Sequence, residues 1–152
     1  MFNSLFKKPN ASITAVSFSA HKNGTDQTGV LNNTSTKVTF PTEDWDINSN
    51  YDAANSKFVP TIAGKYLIVG NISFVTLTAG KSFASILKKN GATVSSNIVS
   101  SGNDWPSASL SVMVNMNGTT DYLELFAYQE SGGTLSITGG AIYTYFQATL
   151  IK

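Results

Sequence analysis

Short apolar runs, cut at nearly regular intervals by turn dipeptides, constrain this chain more than any other feature. From position 12 onward no apolar stripe recurs with the 3.6-residue period of a helix; apolar residues alternate or cluster in short β-branched blocks. Strands are expected over 13–20, 37–40, 57–59, 65–75, 82–89, 93–99, 108–117, 121–129, 134–137 and 141–151. Between them stand Asn23-Gly24, Ala79-Gly80, Asn90-Gly91, Ser101-Gly102, Asn117-Gly118 and Gly132-Gly133, which supply the positive φ that tight connections need. Asn90-Gly91 and Asn117-Gly118 are the strongest hairpin signals. Ten short strands at this spacing spell an antiparallel β-sandwich.

The polarity of the chain is uncharged. Ser, Thr and Asn number 19, 17 and 14 of 152 residues, whereas charged residues make up 12%. All ten basic residues are Lys, and they are scattered, so the bidentate Arg fork and the basic stripe of nucleic-acid binders are missing. There is no Cys, which removes disulfides, thiolate zinc sites and thiol catalysis together. No stretch reaches about 18 apolar residues, and residues 1–10 lack the apolar block of a secretory signal. A protein without nucleic-acid or membrane partners, and without a cofactor, is expected.

The faces of the strands carry further information. In 108–117, Leu110, Val112, Val114 and Met116 point one way, and Ser109, Ser111 and Asn115 the other. In 65–75, Tyr66, Ile68, Ile72 and Phe74 share one face, while Leu67, Val69 and Val75 occupy the other. In 141–151, Ile142, Phe146, Ala148 and Leu150 suit a core, leaving Tyr143, Tyr145 and Ile151 opposite. A small sandwich has one interior, so two doubly apolar strands imply either a subunit interface or a loop folded over that face. The interface reading takes Tyr66, Ile68, Phe74, Tyr143, Tyr145 and Ile151 as its residues. Residues 1–11 stand apart from the domain at 12–152: Phe2, Leu5 and Phe6 precede Lys7-Lys8-Pro9, reading as a frayed terminus or as an arm that docks on a neighbour.

With those strands in place, several motifs resemble the complement C1q-like globular domain. They are Phe18-Ser19-Ala20, Asn50-Tyr51-Asp52, Phe58-Val59-Pro60 leading to Gly64-Lys65-Tyr66, Ile86-Leu87-Lys88-Lys89-Asn90-Gly91, the run from Asn117-Gly118 to Leu125, and Tyr145-Phe146-Gln147-Ala148-Thr149-Leu150-Ile151. The resemblance covers residues 12–152 and implies a ten-stranded jelly roll of the tumour-necrosis-factor-like kind, assembled as a homotrimer. Heads of this kind with no collagen-like stalk and no cysteine are similar to those of tailed-phage virions, where they serve as capsid decorations, head fibres or fibre tips. The implied function is a non-enzymatic virion protein on the capsid surface, with itself and the major capsid protein as partners and Phe2, Leu5 and Phe6 as anchors. The alternatives are a receptor- or carbohydrate-binding fibre tip that contacts host glycans, and a bacterial adhesion module.

Three local features bear on chemistry. His21 is the only histidine, so a Ser-His-Asp site could form only around it, and its position beside Asn23-Gly24 reads as a surface strand end. The run from Asp44 to Asp52 places oxygen donors at alternate positions, which suits calcium by composition but lacks the Gly and Glu of an EF-hand; the competing reading is a polar outer face with Trp45, Ile47 and Tyr51 packed inward. Trp105, in the turn Asn103-Asp104-Trp105-Pro106, is either a loop anchor or a ligand contact, and with Lys88-Lys89 could make a sugar platform. Six sequons, at Asn10, Asn23, Asn32, Asn33, Asn71 and Asn117, follow from the Asn and Ser/Thr content, and glycosylation is not expected.

Overall fold

Asn90 and Gly91 take φ of 52° and 82°, the pair of left-handed conformations that a two-residue hairpin requires, and they join β8 (Ser82–Lys89) to β9 (Ala92–Ser100). In this computed structural model, which describes residues 15–76, 79–102 and 105–151, that hairpin lies at one edge of a β-sandwich. The other strands are β1 (Ser17–His21), β2 (Gln27–Val30), β3 (Thr36–Lys37), β4 (Thr42–Ile47), β5 (Tyr51–Asp52), β6 (Lys57–Phe58), β7 (Gly64–Ser73), β10 (Ser107–Met116), β11 (Leu123–Gln129), β12 (Leu135–Ile137) and β13 (Tyr145–Ile151). One sheet runs β10-β7-β13-β1-β4. The facing sheet runs β5-β6-β11-β8-β9 with β3 also on β11, and β12 pairs with β2 separately. Every pairing is antiparallel, and no helix occurs among the described residues.

Asn117-Gly118 does not close a hairpin. β10 pairs with β7 and β11 with β8, so this turn carries the chain from one sheet to the other. The Asn117 side-chain oxygen accepts from the amides of Thr119, Thr120 and Asp121, an arrangement that caps a wider loop. β2, β4 and β5 lie outside the strands expected from the sequence, and all are polar or short.

The core is aromatic at one end. Phe18 of β1 stacks on Tyr51 at 4.5 Å and on Phe58 at 4.8 Å, and meets Phe146 edge-on at 5.0 Å, so one ring joins both sheets. Tyr66, Ile68, Ile72 and Phe74 extend this interior along β7 and just beyond it, and Phe83 and Leu125 close it from the facing sheet.

The direction of the strands sets the two ends of the molecule. Ser17 pairs with Thr149 and Ile151 with Lys65, so the chain enters β1 and leaves β13 at the same end. β7 finishes, and β10 and β13 begin, at the opposite end.

Candidate functional site

Partners across an antiparallel ladder share a face, so the registers assemble the outward surface of the β10-β7-β13-β1-β4 sheet row by row. One row reads Ser111, Val69, Gln147, Ser19, Trp45; the next reads Met113, Leu67, Thr149, Ser17, Ile47. These two rows contain no charged side chain. Trp45, Ile47 and Met113 are exposed at 49%, 45% and 65%. A depression of about 260 Å³ lies among Trp45, Leu67, Val69 and Thr149. These two uncharged, partly apolar rows of the sheet face are the principal candidate for contact with another molecule.

The interface residues read from the sequence divide in two. Tyr66, Ile68 and Phe74 are completely buried within the single chain and offer nothing to a partner. Even-numbered positions of β7 point towards Phe18 and the facing sheet, so the larger side chains fill the interior and Leu67 and Val69 point out. Tyr145 lies on the outward face, opposite Asn71 and His21. Tyr143 and Ile151 are exposed at 46% and 39%. Ile142, expected in the core, is 77% exposed, because β13 begins only at Tyr145 and the amides of Tyr143 and Thr144 both donate to the Gly140 carbonyl in a preceding turn. Phe2, Leu5 and Phe6 lie outside the described residues.

Trp45 and Ile47 also point outward rather than inward. The register of β4 slips opposite Ser19/Ala20, and this bulge sets Trp45 beside Ser19 on the outer face. The Asp44–Asp52 run is not one extended strand either. It turns at Asn48 and Ser49, both with positive φ, and the Asp46 carboxylate accepts from the amides of Asn50 and Tyr51. Asp52 accepts from the Asn55 amide and side chain, an interaction that holds its carboxyl below the usual range. Both carboxylates thus serve the local backbone, and Tyr51 alone of the three aromatic or aliphatic residues packs inward, its hydroxyl donating to the Phe40 carbonyl.

His21 is mostly covered. Its Nε2 lies 3.2 Å from Asp44 Oδ1 and its Nδ1 2.6 Å from the Lys22 carbonyl, while Ser19 Oγ donates to Asp44 Oδ2 at 2.9 Å. Ser, His and Asp therefore do meet, but with the carboxylate in the middle. Nucleophilic activation needs the imidazole between the other two, so this arrangement fastens β1 to β4 and cannot take a proton from the hydroxyl through histidine.

Lys88 and Lys89 stand at the far end from Trp105. β8 runs away from the 101–106 connection, and Lys88 lies over the Phe126 ring at 3.9 Å while Lys89 pairs with Asp121 at 2.8 Å. A joint platform with Trp105 is excluded by this separation. Trp105 instead neighbours Tyr143, with ring centroids 6.0 Å apart, beside Ser73 and Ser107.

Two antiparallel sheets in these strand orders define a jelly roll of the tumour-necrosis-factor and C1q kind. Solved structures agree. Murine APRIL at pH 5.0 superposes with a TM-score of 0.70 at 10% identity, covering 90% of this chain and 99% of that one. Eiger TNF from S. frugiperda gives 0.70 at 12% identity over 91% and 94%. The globular domain of zebrafish complement 1qA gives 0.60 at 15% identity over 90% and 98%. No protein-family sequence model and no curated protein matches the chain. The likeness is one of fold.

Proposed function

We propose that the chain is a non-enzymatic structural module that trimerises through the outward face of the β10-β7-β13-β1-β4 sheet and decorates a virion capsid through residues 1–11. The observation that carries the trimer is the pair of uncharged rows bearing Trp45, Ile47, Leu67, Val69 and Met113. Leaving such a face in water is unfavourable, and a second copy covers it without desolvating a charge in either row. Tyr145 and Ile151 extend the same surface and suit its rim. Attachment by the arm is supported by Phe2, Leu5 and Phe6, which precede the end where the chain enters β1. In a trimer three such arms give multivalent attachment, so modest contacts from each, made to the major capsid protein, add to firm binding. The Ser/Thr/Asn-rich composition and the resemblance to phage heads favour a capsid over a soluble partner.

Light scattering tests the first part and a truncation the second. The full chain is expected to have a mass about three times 16.2 kDa, and deletion of residues 1–11 to leave the truncated chain trimeric while abolishing co-sedimentation with capsids. A monomer overturns the trimer; capsid binding retained after truncation overturns the arm.

A further inference from the structure

The connection before β13 and the one before β10 bring Trp105 and Tyr143 together over a cleft of about 450 Å³ floored by Ser73 and Ser107, at the end of the molecule opposite the one where the chain enters β1. This volume falls within the range of about 300–1,000 Å³ common to small-molecule sites. The rings are tilted by 42° with centroids 6.0 Å apart, and Trp105 is 62% exposed. A flat ligand held between two rings needs parallel walls about 7 Å apart, so this pair forms an angled platform instead of a slot.

The platform is held from below by a buried amide. Asn71, 7% exposed, donates to the Tyr143 carbonyl, and its side-chain oxygen accepts from the hydroxyls of Ser107 and Ser109. Gly140 supports the ring from the side: a Cβ there would lie 2.6 Å from Tyr143 Cδ2. Ser73 Oγ, buried at the floor, donates to the Pro106 carbonyl, and the exposed Ser107 Oγ donates to Asn71, which leaves the Ser107 lone pairs free to accept from a ligand hydroxyl. The Tyr143 hydroxyl makes no hydrogen bond among the described residues, so it also faces outward with donor and acceptor capacity. Among the described residues, no charged side chain lines the cleft.

We infer that this cleft binds a neutral sugar. A puckered pyranose presents C–H groups to both tilted rings and hydroxyls to Ser107 and the Tyr143 phenol, and the described lining offers an acidic ligand no cation to pair with. Trp and Tyr supply contact area with only two side-chain torsions to fix, which suits weak recognition repeated on each copy. The site rests on its own geometry and does not depend on the capsid reading. It lies at the end of the molecule opposite Ser17, where the chain enters β1.

The test is saturation-transfer NMR on the full chain with glucose, galactose, mannose, N-acetylglucosamine and N-acetylneuraminic acid, each added singly. At least one neutral sugar is expected to receive saturation, and Trp105→Ala and Tyr143→Ala each to weaken its binding about tenfold, as loss of one stacked ring implies, at unchanged light-scattering mass. Gly140→Val, which pushes the Tyr143 ring without removing it, is expected to weaken binding as well. Silence with every neutral sugar, binding of N-acetylneuraminic acid alone, or binding indifferent to Trp105→Ala overturns the inference. A fall in mass for Trp105→Ala without sugar binding would assign the cleft to a second copy instead.

Discussion

Asp121 shows how a single carboxylate can fasten the end of β8 to the loop that follows β10. It lies 2.8 Å from the Lys89 ammonium and accepts from the Asn90 side chain and the Asn117 amide, each also at 2.8 Å. Those partners, Lys89 first, hold its carboxyl below the usual carboxylate range. The sign follows: the unfolded chain takes up the proton first, so the stabilisation is present in full above the ordinary value near 3.9 and is lost as pH falls through the lowered one. Urea midpoints measured from pH 7 down to pH 3 should therefore fall with acid in the parent, and fall less steeply in Asp121→Asn, which starts lower at pH 7. Parallel curves would mean that the interaction contributes nothing to pH dependence. Lys22 behaves oppositely to an exposed amine. Burial lowers its ammonium, which is satisfied by Thr39 and Gln27, so its charge opposes folding at neutral pH and that penalty fades only as alkali removes it.

At the level of elements, two glycines with nearly the same φ separate turn chemistry from packing. Gly91, at φ 82°, has open space where a Cβ would go, whereas at Gly118, φ 71°, a Cβ would lie 2.3 Å from the Ala63 amide nitrogen. Gly91→Ala should cost about 1 kcal/mol, the strain of a left-handed residue alone. Gly118→Ala adds a backbone collision, and its cost should reach about 3 kcal/mol, read as a difference in urea unfolding free energy. Equal losses would mean that the 62–63 segment moves aside freely. The same pair marks what could be read in advance. β8 is where its alternation placed it, and Asn90-Gly91 closes the hairpin that the dipeptide signals, because both are local. Asn117-Gly118 has the same local chemistry, yet joins strands in different sheets, since partner choice is made by long-range packing. The outward turn of Trp45 depends on a bulge opposite Ser19/Ala20 that no alternation in β4 reveals. For β7 the two faces were legible and their direction was not: alternation says that Tyr66 and Leu67 point apart, and only the aromatic cluster around Phe18 decides which is inside. Trp105 stood out as a loop aromatic, but its partner Tyr143 lies 38 positions away and only the fold brings the two together.

For the molecule as a whole, the distinction between Tyr66 and Leu67 becomes a test of how copies associate. Leu67 and Val69 lie within the outward face, flanked in their rows by Met113, Ser111, Gln147 and Thr149, and a charge placed there would have to be buried unpaired in any assembly that uses this surface. In a lone chain the same charge points to water. Leu67→Asp combined with Val69→Asp is therefore expected to reduce the light-scattering mass from about three times 16.2 kDa to 16.2 kDa itself, with the far-ultraviolet circular dichroism of the sandwich retained. Tyr66→Ala, one residue away, should do the reverse of a clean dissociation. Its ring is wholly buried against Phe58 and its hydroxyl donates to the Ile62 carbonyl, so truncation opens a cavity and lowers unfolding stability by about 3–5 kcal/mol. If the double aspartate variant kept the parent's trimeric mass, another surface would hold the copies together and the uncharged rows would need a different occupant. If it unfolded as Tyr66→Ala does, Leu67 and Val69 would belong to the stability of the single chain after all.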